Sequence, residues 1–165
     1  MIDRILSALK KCGIEDYQIV LTEEESAELF FIKKELDMQR RKKVRTANVS
    51  VYRVFGEGEA RFRGVASVGV QDSQTPEELE KLFADAFYAA GFVKNQYYDL
   101  YAGKKAEMVE MESSLWGKSL AQMAQGFAEA LFAEDVQEEV FINSAEIFAR
   151  CYTIHILNSR GVDVS

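Results

Sequence analysis

Hydrophobic residues recur along this chain at two periods, and each change of period marks an element. Ile2, Ile5, Leu6 and Leu9 fall on one face of a helix, and Gly13 stands where a glycine would end it, so the spacing predicts a helix over residues 2–12. Tyr17, Ile19 and Leu21 then alternate with Gln18, Val20 and Thr22, the two-residue period of a strand with one buried face. SAELFFIKKELDMQRRK continues the alternation and predicts a second strand after the acidic TEEES, with Phe30 and Ile32 on one face and Leu29 and Phe31 on the other. VRTANVSVYRVF and EARFRGVASVGVQ, rich in β-branched and aromatic residues, flank Gly56-Glu57-Gly58, a hairpin turn whose glycines supply positive backbone angles. In the second arm Phe62, Gly64, Ala66, Val68 and Val70 share a face, and the small Gly64 and Ala66 suit close approach of a helix.

That helix follows directly. Thr75-Pro76-Glu77-Glu78 places a capping threonine, a proline at the first helical position and a glutamate three residues after the cap. Leu79, Leu82, Phe83, Ala86, Phe87, Ala90 and Val93 continue as an apolar stripe that reads as core. The pattern lapses through QYYDLYAGKKAEMVEMESS, which reads as a connector. A further helix over about 115–134 carries Leu115 or Trp116, Leu120, Met123, Phe127 and Leu131 at helical spacing. VFINSAEIFARCYTIHILNSRG reads as two more strands with a weak point at Ser144-Ala145-Glu146, and Asn158-Ser159-Arg160-Gly161 as a turn into a short return strand. A return strand of three or four residues leaves its neighbour half paired, which predicts a piece of a longer protein. The expected class is α+β: an antiparallel sheet of about four strands packed against two helices in an N-terminal domain over 1–96, then the start of a second α/β unit over 97–165.

Composition supports a compact chain: of 165 residues, 48% are hydrophobic, 12% aromatic and one is proline, which excludes a linker or disordered tail. No apolar run approaches the roughly 18–20 residues of a membrane span, and the first helix lacks a signal-peptide core, so a cytoplasmic protein is expected. Cys12 and Cys151 form neither a disulfide framework nor a metal cluster and read as buried, inert thiols. Charge changes the picture more. The total is -7, yet residues 33–63 hold ten basic side chains against four acidic ones, a basic block inside an acidic protein.

The residues permit little catalysis. A zinc site needs converging imidazoles or thiolates, and His155 is the one histidine. It also leaves a serine or cysteine nucleophile without a base: Cys151 lies four strand residues away, about 13 Å at ~3.3 Å per residue. GEGEARFRG lacks the lysine ending of a phosphate loop and lies between strands. The basic residues Arg40, Arg41, Lys42, Lys43, Arg45, Arg53, Arg61 and Arg63 remain as candidate contacts to a partner or peptide. The same run also reads as an edge strand guarded against unwanted pairing, or as a patch for an acidic partner or nucleic acid. Nucleic acid is disfavoured by the net negative charge.

KKCGIEDYQIVLTEEES, GEGEARFRGVAS, TPEELEKLFADAFYAAGFV and FARCYTIHILNSRGVDVS, taken in this order, resemble the N-terminal region of the TldD/PmbA family, the modulators of DNA gyrase. The last segment is the most specific, because Asn158, Ser159 and Gly161 match an Asn-Ser-x-Gly turn after a strand. The charged DMQRRKKVR departs from the family, which has a glycine-bearing turn there. The resemblance implies a zinc-dependent peptidase system in which a catalytic subunit pairs with a related metal-free one. This chain would be a non-catalytic region contributing subunit contacts in a homo- or hetero-oligomer and holding extended peptide. Neither the family's histidine motif nor any cofactor site is expected within it, zinc being possible in the parent or its partner, and no membrane is involved.

Overall fold

The computed structural model describes residues 1–103, 109, 111–137 and 139–165, so part of the expected connector lies outside the described residues. In chain order come α1 (Ile2–Lys11), β1 (Asp16–Ile32), β2 (Glu35–Phe55), a single 3-10 turn (Gly58–Ala60), β3 (Phe62–Val70), α2 (Pro76–Ala90), α3 (Leu120–Ala133), β4 (Ser144–Asn158) and β5 (Asp163–Val164). The strands form one sheet in the order β3-β2-β1-β4-β5. β3 runs antiparallel to β2 from Ala47↔Val70 to Phe55↔Phe62, and β5 antiparallel to β4 at Ile156↔Val164 and Leu157↔Asp163. Lys33 N–H donates to Asn143 O and Ser159 N–H to Tyr17 O, so β4 also opposes β1 in direction. The α+β class holds, with five strands and three α-helices among the described residues. No described helix is long and apolar enough to cross a membrane.

Three boundaries differ from expectation. The acidic TEEES is no turn but the middle of β1, where bases across the sheet face its carboxylates: Lys43 pairs with Glu25 and Arg150 with Glu24. The reversal falls instead at Lys33-Lys34, where Lys33 takes φ 55°, so the strand expected over 26–42 is divided between β1 and β2, and its second half is continuous with the strand expected over 44–55. Ser144-Ala145-Glu146 opens β4 instead of interrupting it, and residues 140–143 form no strand.

The described residues fall into two compact units that interleave along the chain. Unit 1 comprises Met1–Thr22, Arg45–Glu107 and Ile154–Ser165. Its core joins Ile5 and Leu9 of α1, Ile19 of β1, Val49 and Val51 of β2, and Leu79 and Phe83 of α2. The capping box forms as expected, Thr75 Oγ1 accepting from Glu78 N–H and the Glu78 carboxylate from Thr75 N–H. α2 packs on β3 at Gly64, where a Cβ would lie 1.7 Å from Ala90 O, a contact that any side chain would forbid. The hairpin turn places Gly56 at φ 80° and Gly58 at φ 55°.

Unit 2 comprises Glu23–Val44 and Met108–Thr153. α3 starts at Leu120, five residues later than the earliest start expected, because Ser119 and Gln122 make a second capping box. It buries Ala124 and Ala128 against Ala27, Ile147 and Ala149, with Leu120 and Met123 of the expected stripe packed beside them, while Phe127 and Leu131 stay exposed. Small residues at the contact let the helix lie close to the sheet. Phe31 and Phe132 meet edge to face at 5.0 Å.

Candidate functional site

Strand alternation divides the basic run. Arg40 and Lys42 turn to one face of β2, and there they meet a carboxylate from β1: Glu28, whose side chain is fully buried. Glu28 Oε2 accepts from Arg40 Nε at 2.6 Å, Lys42 Nζ lies 3.1 Å from Oε1, and Ser26 Oγ donates to Oε1 at 3.0 Å. Burial alone would raise the Glu28 carboxyl, but the hydrogen bonds from Arg40, Lys42 and Ser26 outweigh it and hold the pKa at about 2. Two of the expected contact residues are therefore committed to an internal ion cluster.

Arg41 and Lys43 turn to the opposite face, the one that α3 covers. Beyond the first turn of α3 that face lies open, and a groove of about 660 Å³ remains, with Ala27, Leu120 and Met123 as its apolar lining. Arg41, Lys43 and Lys118 bring three cations to it against the single carboxylate of Glu25, while the Lys42 ammonium is held by Glu28. Lys43 is held by Glu25, whereas Arg41 and Lys118 make no ion pair among the described residues. Lys118, adjacent to α3 in sequence, could not be connected with Arg41 by spacing alone. Cys151 also lines the groove and is exposed, contrary to the inert buried thiol expected. Cys12 is half-buried, its thiol donating to Glu80 O at 3.3 Å, and burial pushes its pKa up.

The other basic residues belong to unit 1. Arg45 reaches Asp72 at 4.0 Å, Arg53 lies 5.3 Å over the Phe87 ring, and Arg61 lies 3.8 Å over Tyr97. Arg63, expected at the surface, is 1% exposed, which removes it from any contact surface. Its Nη2 donates to Asp16 Oδ2 at 3.0 Å, while Nε and Nη1, without hydrogen bonds, leave the guanidinium facing Tyr97 and Tyr98 at 4.9 and 5.6 Å.

Asp16 receives a second arginine from the Asn-Ser-x-Gly turn. Arg160 Nη2 donates to Asp16 Oδ1 at 2.7 Å, and Ser159 exchanges hydrogen bonds with Tyr17, its N–H donating to Tyr17 O and its Oγ accepting from Tyr17 N–H. Asn158 Oδ1 accepts from the N–H groups of Arg160 and Val162, while its Nδ2 donates to Tyr101 O. The motif thus builds a docked turn through its side chains. Beside it, His155 Nε2 lies 2.6 Å from Asp163 Oδ1. Among the described residues no three His, Cys, Asp or Glu side chains converge as metal ligands.

Comparison with family profiles and with curated protein sequences returns no match. Solved structures do share the fold. TldE from Thermococcus kodakarensis matches with a TM-score of 0.62 and 16% identity over 98% of this chain and 36% of its own. A candidate modulator of DNA gyrase from Thermotoga maritima matches at 0.64 and 18% over 99% of this chain and 35% of its own. A third, from Bacteroides thetaiotaomicron, matches at 0.60 and 14% over 98% of this chain and 37% of its own. The chain has the fold of a portion of TldD/PmbA-type proteins and spans about a third of their length.

Proposed function

We propose that this chain is the non-catalytic N-terminal region of a TldD/PmbA-like metallopeptidase assembly, contributing subunit contacts and a surface on which peptide is held. The observation that carries the reading is the likeness of fold to TldE and two gyrase-modulator structures over nearly the whole chain. In this reading zinc and the hydrolytic groups belong to the parent protein or its related subunit, and the chain supplies binding and positioning alone. Co-expression with a metal-bearing TldD-type subunit tests it. The expected result is co-purification, with chelator-sensitive cleavage of unfolded protein by the complex and none by this chain alone; failure to associate would refute it.

The groove supports a second reading, an interaction module for an acidic partner. Arg41 and Lys118 offer cations without internal partners, and carboxylates of an extended segment would satisfy them. Arg40, Lys42 and Arg63 contribute to internal packing in this reading, and the contact set contracts to Arg41, Lys43 and Lys118.

A further inference from the structure

The reversal at Lys33-Lys34 borders a second cavity of unit 2, of about 520 Å³, with Ile32, Phe141 and Ile142 as its apolar lining and Lys33, Lys34, Glu35 and Asp135 as its charged one. Its volume falls within the roughly 300–1,000 Å³ typical of small-molecule sites. Ile32 and Phe141 are 55% and 57% exposed, so both offer apolar surface to an occupant. The charges are incompletely matched. Lys34 Nζ donates to the backbone O of Asp135 at 2.9 Å and stands 3.3 Å from Oδ2 of its carboxylate. That side chain is 6% exposed, yet Oδ2 accepts no hydrogen bond. A buried carboxylate oxygen in this condition lacks the donor that would offset its desolvation.

The turn adds a second unanswered group. Lys33 and Glu35 make no ion pair among the described residues, and the Lys33 ammonium lies 6.0 Å from the centre of the Phe141 ring. Lys33 holds φ 55° while its N–H donates to Asn143 O at 2.7 Å. Glycine would take that backbone without strain, so the position points to a use for the lysine side chain itself.

We propose that this cavity binds a free α-amino acid with a large apolar side chain. The ligand ammonium donates to Asp135 Oδ2, in the place that the half-exposed Lys34 ammonium now holds, the ligand carboxylate accepts from Lys33, and the ligand side chain covers Ile32, Phe141 and Ile142. Two ammonium groups and two carboxylates line the cavity, so a zwitterion adds no net charge to it. An amine would leave Lys33 unanswered, and a carboxylic acid would leave Asp135 so. The site is independent of the peptidase reading and of the cationic groove.

Titration of L-phenylalanine into the isotope-labelled chain, followed by backbone amide shifts, tests the assignment. Shifts centred on Lys33, Asp135 and Ile142 are expected, saturating with a Kd of about 1 mM or tighter. Phenethylamine, which lacks the carboxylate, and hydrocinnamate, which lacks the ammonium, should each bind about tenfold or more weakly. Asp135→Asn and Lys33→Gly should each weaken binding of L-phenylalanine by about tenfold or more as well. Lys33→Gly separates ligand contact from folding, because it should raise the thermal midpoint while it weakens binding. Absence of saturable shifts, equal affinity for the three compounds, or affinity unchanged by either substitution would overturn the proposal.

Discussion

Glu28 shows what a buried carboxylate does once its ligands are supplied from the neighbouring strand. Its pKa of about 2 lies below the ordinary value of 4.5, so the ionised form stabilises the fold fully above pH 4.5, and that contribution is lost as the pH falls through 2. Urea midpoints measured from pH 5 to pH 2 should therefore drop more steeply in wild type than in Glu28→Gln, which has no proton to take up. Asp16 is the counterpart in unit 1. Asp16→Asn leaves Arg63 buried without its counter-charge and should cost about 3–5 kcal/mol in chemical denaturation. Arg160→Ala, at a half-exposed partner of the same carboxylate, should cost under about 1 kcal/mol. The sequence shows ten basic residues in one block but not which of them are occupied, because each counter-charge, whether Glu28, Asp16 or Asp72, arrives from a different strand or loop.

At the scale of elements, local chemistry was readable where it is self-contained. Thr75-Pro76-Glu77-Glu78 announces both the start of α2 and the means of capping it; Thr75→Ala should lower stability by about 1 kcal/mol. Gly64 and Ala66 announce a close helix, and Gly64→Ala, whose methyl group would collide with the Ala90 carbonyl, should destabilise by about 1–3 kcal/mol or more in thermal melts. Reversal at Lys33-Lys34 was not readable, since a lysine with positive φ carries no glycine or asparagine signal. Lys33→Gly should be stabilising by up to about 1 kcal/mol. The α3 stripe holds in part: Leu120 and Met123 pack against the core of unit 2, Phe127 and Leu131 stay exposed, and the fully buried residues are Ala124 and Ala128, which spacing does not single out.

For the whole molecule, the division of charge matters more than its total. A chain of net charge -7 gathers unpaired cations around one groove in unit 2, and a labelled oligoglutamate peptide should bind there with affinity that falls as salt rises. Arg41→Ala with Lys118→Ala should abolish that binding while leaving the fold intact by circular dichroism. The fold class and its first helix, hairpin and second helix were legible in the sequence, but the interleaving of two units was not, because periodicity carries no information about which distant segments pair. The strand order has a kinetic consequence. β1, β2 and β3 follow one another in the chain and can zip together early, whereas β4, the other neighbour of β1, is synthesised only after α2 and α3. Until it arrives β1 has one vacant flank, so pulse-labelled hydrogen exchange during refolding should find β2 and β3 protected first. Misassembly in the crowded nascent state should begin along β1.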